Sequence, residues 1–531
     1  MKKFILFITT CVLSYGCSDS IIFDLKDQQG KHKDERTLKI EQSKKNRDNV
    51  SVSDIKNVAQ LFDPNDILSD TEKCNLRTSV VDKKSIKEII LVSDSLNTPL
   101  LYIVNYVNNS GWIIVSATKK YHPIVAFSDE GYFDKDIASP ANMWIGMIAK
   151  DILTKKNNDS IQIVPEWIKY EEKLPLSMSK GSIPSYQNID WWRDETMHDI
   201  TNTNKYPPKQ GDYSSYGTFI SDMFCSLVEL SSYIPSYDGD YMNISNRMES
   251  MGWSDDAPLV HMKHFYKKII INKMIETYWE QSEPFNQSIP DEKLVGCVPV
   301  AIGQIMNYHK WPSDYANWGE MGKEDKLEEA TLLKKIGDGI GMIYGKKQSY
   351  PNFWKNLPNF SDLTGIEKFF KRNNYSVSSG SVKDNLHIIR NALIEGKPVY
   401  MEGTGKCFSL LGITVPNFKA HAWVCDGITY SKTTYFLEYL YLPQYPNPGT
   451  SQDTPLETNP YDREYNMFGE SAHSYSYFHM NWGWGKHSKH NNDDGSYLSK
   501  NGWYLDANIS NAGLKYEVWF KYVIPSPNRK K

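Results

Sequence analysis

Four residues of this chain have the types and the order needed to hydrolyse an acyl bond: Gln281, Cys297, His421 and Asn481. Cys297 stands in Val295-Gly296-Cys297-Val298-Pro299-Val300-Ala301, ahead of apolar residues at helical spacing, Ala301, Ile302, Ile305 and Met306. Proline is tolerated in a first helical turn, where backbone N–H groups lack intrahelical partners. Cys297 is therefore expected at or just before the start of a helix over 298–308, with Gly296 as a supporting residue. There the helix dipole favours the thiolate, the form that attacks carbonyls. A thiolate needs a base and a group that orients the base. His421 opens the strand pattern His421-Ala422-Trp423-Val424-Cys425, 124 residues downstream, and Asn481 opens Asn481-Trp482-Gly483-Trp484-Gly485 another 60 residues on. Asn481 is expected to accept the ring N–H of His421, and Trp482 to shield that bond from water. Gln281, 16 residues before the cysteine, has an uncharged amide that with the Cys297 N–H would form an oxyanion hole. Singly, each residue has a blander explanation: an inert helix-start cysteine, a buried strand histidine, a packed aromatic turn. Their joint order and spacing point to catalysis.

The elements that must position these residues follow from patterning. Strands are expected over 398–401, 421–425, 435–442 and 477–480. Nearer the N-terminus, Pro99 to Val107 reads as a buried strand, Asn108-Asn109-Ser110-Gly111 as a turn, and 112–116 and 124–127 as further strands. A helix is expected over 141–157, and the polar run 155–160 after it reads as an inter-domain linker. Residues 165–270 are aromatic and turn-rich without a readable motif. There is no repeat with a 20–50-residue period.

Composition limits the function classes. The chain has 531 residues with net charge −4, which gives no support to wholesale nucleic-acid binding. At 40% hydrophobic and 23% charged residues it is not a disordered chain. Met1-Lys2-Lys3 followed by an apolar run over 4–13 reads as a secretory signal, too short to span a bilayer. Gly16-Cys17 at its end resembles a bacterial lipobox, so lipidation of Cys17 is expected, despite Ser14 and Tyr15 at less usual positions. The polar, lysine-rich residues 18–50 read as a tether. The seven cysteines include no CxxC pair, which argues against a zinc ribbon. Cys407 and Cys425 are read as free thiols rather than a pair. His487, His490, Asp493 and Asp494 could in principle hold a metal, but the flexible run around them reads as a solvated loop. His309 and His479 read as packed residues. No metal and no cofactor are expected.

A nucleophile on a helix, a base on a strand and an asparagine on the next strand resemble the order of papain-like cysteine proteases. More specifically, Gly296 to Pro312 resembles the nucleophile helix of the streptopain (peptidase C10) family. Trp279-Glu280-Gln281-Ser282-Glu283-Pro284-Phe285-Asn286, His421-Ala422-Trp423-Val424 and Asn481-Trp482-Gly483-Trp484-Gly485 are similar to its other blocks, in order. Residues 97–134 resemble that family's propeptide, which is of the Spi inhibitor type. The resemblance implies an α+β chain: a small α+β propeptide domain, then a papain-like fold with a helical half and an antiparallel β half. It implies an endopeptidase made as a zymogen, acting on protein or peptide substrates and inhibited by its own propeptide. The expected organisation is a signal peptide over 1–17, a tether over 18–50, a propeptide over 51–160 and a catalytic domain over 161–531. Residues 165–270 form an unassigned extension within it. The protein is expected to be exported, either lipid-anchored at the cell envelope or secreted after maturation. Two positions depart from the family pattern: Ala420 and Lys486 stand where glycine is common, along the expected path of substrate backbone. The alternative is a catalytically silent surface lipoprotein that binds peptides on the same fold.

Overall fold

The computed structural model describes residues 48–68, 84–136, 139–158, 161, 163–170, 218–226, 259–352, 364–382, 385–404, 421–439, 467–486, 497–506 and 519–529. These lie in one compact unit that begins at Asp48.

Its N-terminal part starts with helix α1 (Val52–Leu61), opened by a capping box between Ser51 and Asp54. The short helix α2 (Asn65–Leu68) follows. Four antiparallel strands come next: β1 (Ile86–Ser93), β2 (Pro99–Tyr106), β3 (Trp112–Ser116) and β4 (Ile124–Ser128). Strand β3 is buried along its whole length, because both faces of the sheet are covered here. Helix α3 (Pro140–Lys156) begins with proline in its first turn and ends on Lys155 and Lys156, which suit the negative end of its dipole. Ala141, Trp144, Ile145, Ile148, Ala149 and Ile152 form its buried stripe at helical spacing. The expected polar run at 155–160 is thus in part the last turn of this helix.

In the 165–270 region, which had no readable motif, the described residues include strands β5 (Thr218–Ser226) and β6 (Leu259–Ile271). Helix α4 (Cys297–His309) and helix α5 (Leu327–Ile340) then pack together. Gly303 permits their close approach: a Cβ there would stand 2.7 Å from Leu333 Cδ2 and 3.0 Å from the Trp279 ring. The two-residue strands β7 (Met342–Ile343) and β8 (Tyr350–Pro351) form a small separate ladder. The chain continues through α6 (Thr364–Arg372), β9 (Tyr375–Ser381), α7 (Leu386–Ile394) and β10 (Val399–Thr404). It ends with β11 (His421–Tyr439), β12 (Met467–Asn481), β13 (Gly502–Leu505) and β14 (Trp519–Pro527).

All ladders between these strands are antiparallel, and among the described residues twelve strands make one sheet. Its main path runs β1-β2-β3-β4-β13-β12-β11-β10-β14-β9, with β6 on β11 and β5 on β6. The expected strands at 421–425 and 435–442 are one long strand, because β6 and β12 flank it on both sides. The sheet also crosses from the N-terminal strands to the C-terminal ones, through Trp503 opposite Phe127 and Tyr504 opposite Ala126. Among the described residues, no helix is long and apolar enough to cross a membrane.

Candidate active site

Cys297 is the first residue of α4, one position earlier than the helix the sequence predicts. Gly296 is its N-cap with φ +96°, and a Cβ there would collide with the Met342 side chain. The positive φ is what calls for glycine, since the Met342 methyl is the far end of a flexible side chain, and it explains the residue before the nucleophile. Val295 N donates to Gln281 O at 2.9 Å, so the Gln281 loop is fastened two residues ahead of Cys297. The Gln281 side chain is half-buried and makes no hydrogen bond among the described residues.

His421 is the first residue of β11, and its neighbour Ala422 is buried in the same cluster as Cys297, with its amide favouring the thiolate. The start of the nucleophile helix thus packs against the start of the strand that carries His421. Cys297 is 6% exposed and His421 3% exposed. Burial pushes the Cys297 thiol up to about 12, against the pull of the Ala422, Cys297 and Val298 amides, and the buried Glu402 adds to the rise. The dipole argument from sequence favoured a thiolate; here desolvation outweighs it. Burial likewise pushes His421 down to about 4, opposed by its bond to Trp482. Burial thus favours the neutral form of both groups.

The expected partnership of His421 with Asn481 is corrected by the structure. His421 Nε2 lies 3.0 Å from the Trp482 carbonyl oxygen. A carbonyl only accepts, so the ring proton is on Nε2 and the lone pair of the neutral ring is on Nδ1. Asn481 makes a different set of bonds. Its Nδ2 donates to Thr277 O (2.9 Å) and Gln304 Oε1 (3.1 Å), and its Oδ1 accepts from Gly483 N (3.2 Å) and Gln304 Nε2 (3.4 Å). The reason is register. Asn481 pairs with Val424, and side chains alternate between the two faces of a strand. Val424 and Ala422 join the core around Cys297, while Trp423 and Cys425 join the core on the other side. Val424 lies three positions beyond His421, an odd step, so Asn481 opposite Val424 faces the helical half and the next backbone carbonyl meets the ring.

Aromatic rings enclose the imidazole. Trp423 lies parallel to it at 6.4 Å and 10°, and Trp484 meets it edge-on at 6.2 Å. Trp482 is buried against Trp423 at 5.0 Å, so it both walls the site and supplies the acceptor.

Lys486, one of the departures from the family pattern, reaches the N-terminal part. Its Nζ is 2.9 Å from Glu130 Oε2 and 4.1 Å from the Tyr278 ring centroid. Further contacts join the two parts. Trp112 Nε1 donates to Ser499 O (2.9 Å), Trp144 Nε1 to Leu505 O (3.1 Å), and Lys500 Nζ to Asn142 Oδ1 (2.7 Å).

Of the other candidates, His309 is buried and lowered to about 4 by burial. His479 is more than packed: its Nδ1 lies 2.6 Å from Asp426 Oδ1, while Asp426 Oδ2 accepts from Ile275 N at 2.8 Å. Cys425 is a buried free thiol. Cys17, Cys407, Ala420, His487, His490, Asp493 and Asp494 lie outside the described residues. Sequence reasoning missed Gln304. Its signal was a polar side chain seven residues after Cys297 on an apolar helix, hence on the same face.

Comparison with known proteins agrees with this architecture. Residues 47–152 match the Spi protease inhibitor family, and residues 279–327 and 314–490 match the Peptidase C10 family. The chain thus carries a segment similar to the Peptidase C10 family, preceded by one similar to the Spi protease inhibitor family. A similar curated protein is the thiol protease/hemagglutinin PrtT of Porphyromonas gingivalis, 24% identical over 30% of this chain. The matched stretch spans 21% of that protein's length.

Proposed function

We propose that this chain is a cysteine endopeptidase made as a zymogen, with Cys297 as nucleophile and His421 as base. The observation that carries the reading is the burial of Cys297 and Ala422 in one apolar cluster, which sets the start of the nucleophile helix against the start of the His421 strand. His421 takes the thiol proton through Nδ1, and the sulfur attacks the scissile carbonyl. The Cys297 N–H and the Gln281 amide hold the oxyanion. The imidazolium then protonates the leaving amine, and His421 activates the water that hydrolyses the thioester. Throughout, the Trp482 carbonyl holds the ring in one tautomer.

The closed form is dormant for an electrostatic reason. A thiol raised to about 12 and an imidazole lowered to about 4 are each far from forming an ion pair at neutral pH. Water entering the cleft lowers the first and raises the second, so opening the cleft and arming the pair are one event. The N-terminal part extends the sheet that carries His421 and pairs Glu130 with Lys486 beside the Trp-Gly-Trp-Gly turn, which supports its role as intramolecular inhibitor.

A peptide epoxide that alkylates thiols tests the reading. Processed enzyme should lose activity with one label on Cys297, and Cys297→Ala and His421→Ala should fold yet hydrolyse nothing. Wild-type turnover by purified Cys297→Ala would refute the assignment and leave peptide binding on the same fold as the surviving alternative.

A further inference from the structure

Gln304 is 0% exposed and sits two helical turns beyond Cys297 on the same face of α4. A buried primary amide needs partners for its donors and acceptor. Gln304 Oε1 accepts from Thr277 Oγ1 at 2.8 Å and from Asn481 Nδ2 at 3.1 Å, and its Nε2 faces Asn481 Oδ1 at 3.4 Å. Asn481 in turn bonds Gly483 N, bridging the peptide units on either side of Trp482. The Trp482 amide is held separately by Asn501 Oδ1 at 2.8 Å. The other backbone group of Trp482 is its carbonyl, and that carbonyl holds His421 Nε2.

We propose that Gln304 is a positioning residue: through a reciprocal amide pair with Asn481 it ties the nucleophile helix to the Trp482 turn and so aims the carbonyl that fixes His421. The inference rests on the peptidase reading. It assigns Asn481 a different task from that of accepting the ring proton. The amide pair crosses between the two halves that carry the nucleophile and the base. Their mutual placement therefore depends on a hydrogen-bonded link buried beneath the site as well as on apolar packing. Small displacements matter, since a shift of about 1 Å can cost about 100-fold in rate.

The test compares Gln304→Met and Gln304→Glu in the full chain. Methionine matches the length of glutamine and removes every hydrogen bond. Glutamic acid, protonated in this dry site, keeps an acceptor and a donor. With nitrogen-15 histidine labelling, the full chain should show a protected Nε2–H resonance that His421→Ala deletes. Gln304→Met should lose that resonance to solvent exchange. After processing, its kcat should fall about 10- to 100-fold with KM within about twofold. Gln304→Glu should return both signals most of the way. A folded Gln304→Met with the wild-type resonance overturns the proposal, whether or not kcat falls. If Gln304→Met does not fold, Thr277→Val removes one bond to Gln304 and leaves the residue in place. A weakened resonance then supports the proposal and an unchanged one overturns it. Failure of the peptidase reading would appear separately, as Cys297→Ala hydrolysing peptide at the wild-type rate.

Discussion

Trp112→Phe should release the N-terminal part without unfolding it. The indole is fully buried in β3 and its Nε1 donates to Ser499 O at 2.9 Å, across the junction between the N-terminal and C-terminal strands. Phenylalanine retains most of the apolar contact with Phe133, whose ring lies 4.9 Å away, and removes the donor. The Ser499 carbonyl, on a buried residue, then loses that partner, at a cost of about 1–3 kcal/mol. At about 1.4 kcal/mol per tenfold, the undocked fraction rises about 5- to 150-fold. Trp167→Phe is the matched control. Its buried Nε1 donates to Tyr121 O at 2.7 Å, so the bond lost is of the same kind but lies away from the junction between the N-terminal and C-terminal strands. The assay is hydrolysis of a fluorogenic peptide by precursor verified as uncut, with urea midpoints for all three proteins. Both variants should lower the midpoint, and only Trp112→Phe should raise precursor activity. Equal activity in the two variants, or none gained in Trp112→Phe, would refute the idea that this junction holds the site shut.

Other outcomes follow from the same geometry. Gln281→Ala should lower kcat about 100- to 1,000-fold with a small effect on KM in steady-state assays of processed enzyme. Burial raises the Glu130 carboxyl, but its bonds to Lys486 and Tyr278 outweigh burial and hold it below the usual value. The Glu130–Lys486 pair therefore stabilises docking above the unfolded pKa and is lost as pH falls through the folded one. With Lys486 40% exposed, Lys486→Ala should cost about 0.2–1 kcal/mol, less at high salt, read as faster activation of the precursor. Burial lowers Lys500 to about 7, so the unfolded chain binds more protons from there to about 10. The urea midpoint of the precursor should climb over that range, and Lys500→Met should flatten the climb. Cys17→Ser should release the protein or stall its processing, read by mass spectrometry of the N-terminus; an unmodified N-terminus at another residue in the wild type would refute the lipid anchor.

The strands and helices nearest the site were legible for local reasons. Alternation and apolar runs marked Trp112–Ser116, and a proline two residues after Cys297 with apolar residues at helical spacing marked α4. Strands β5 and β6 were not legible, because β6 pairs with β11 more than 150 residues away, β5 pairs in turn with β6, and their own sequence carries mixed polarity. The neutral state of Cys297 was hidden for a related reason. A helix start is a local feature, whereas the burial that outweighs its dipole is contributed in part by β10 and β11.

The linear chain by itself marked the candidate groups: a thiol at a helix start, an imidazole at a strand start, an amide ahead of the thiol, and a Spi-like segment before all of them. Spacing and side-chain chemistry suffice for that, since each motif is written in consecutive residues. Tertiary structure alone decided which face each strand residue presents. A single register, Asn481 opposite Val424, turned the asparagine toward Gln304 and handed the ring of His421 to the Trp482 carbonyl. Register belongs to a pair of strands, and side chains change face at every residue, so a motif read along one strand cannot assign the partner across it.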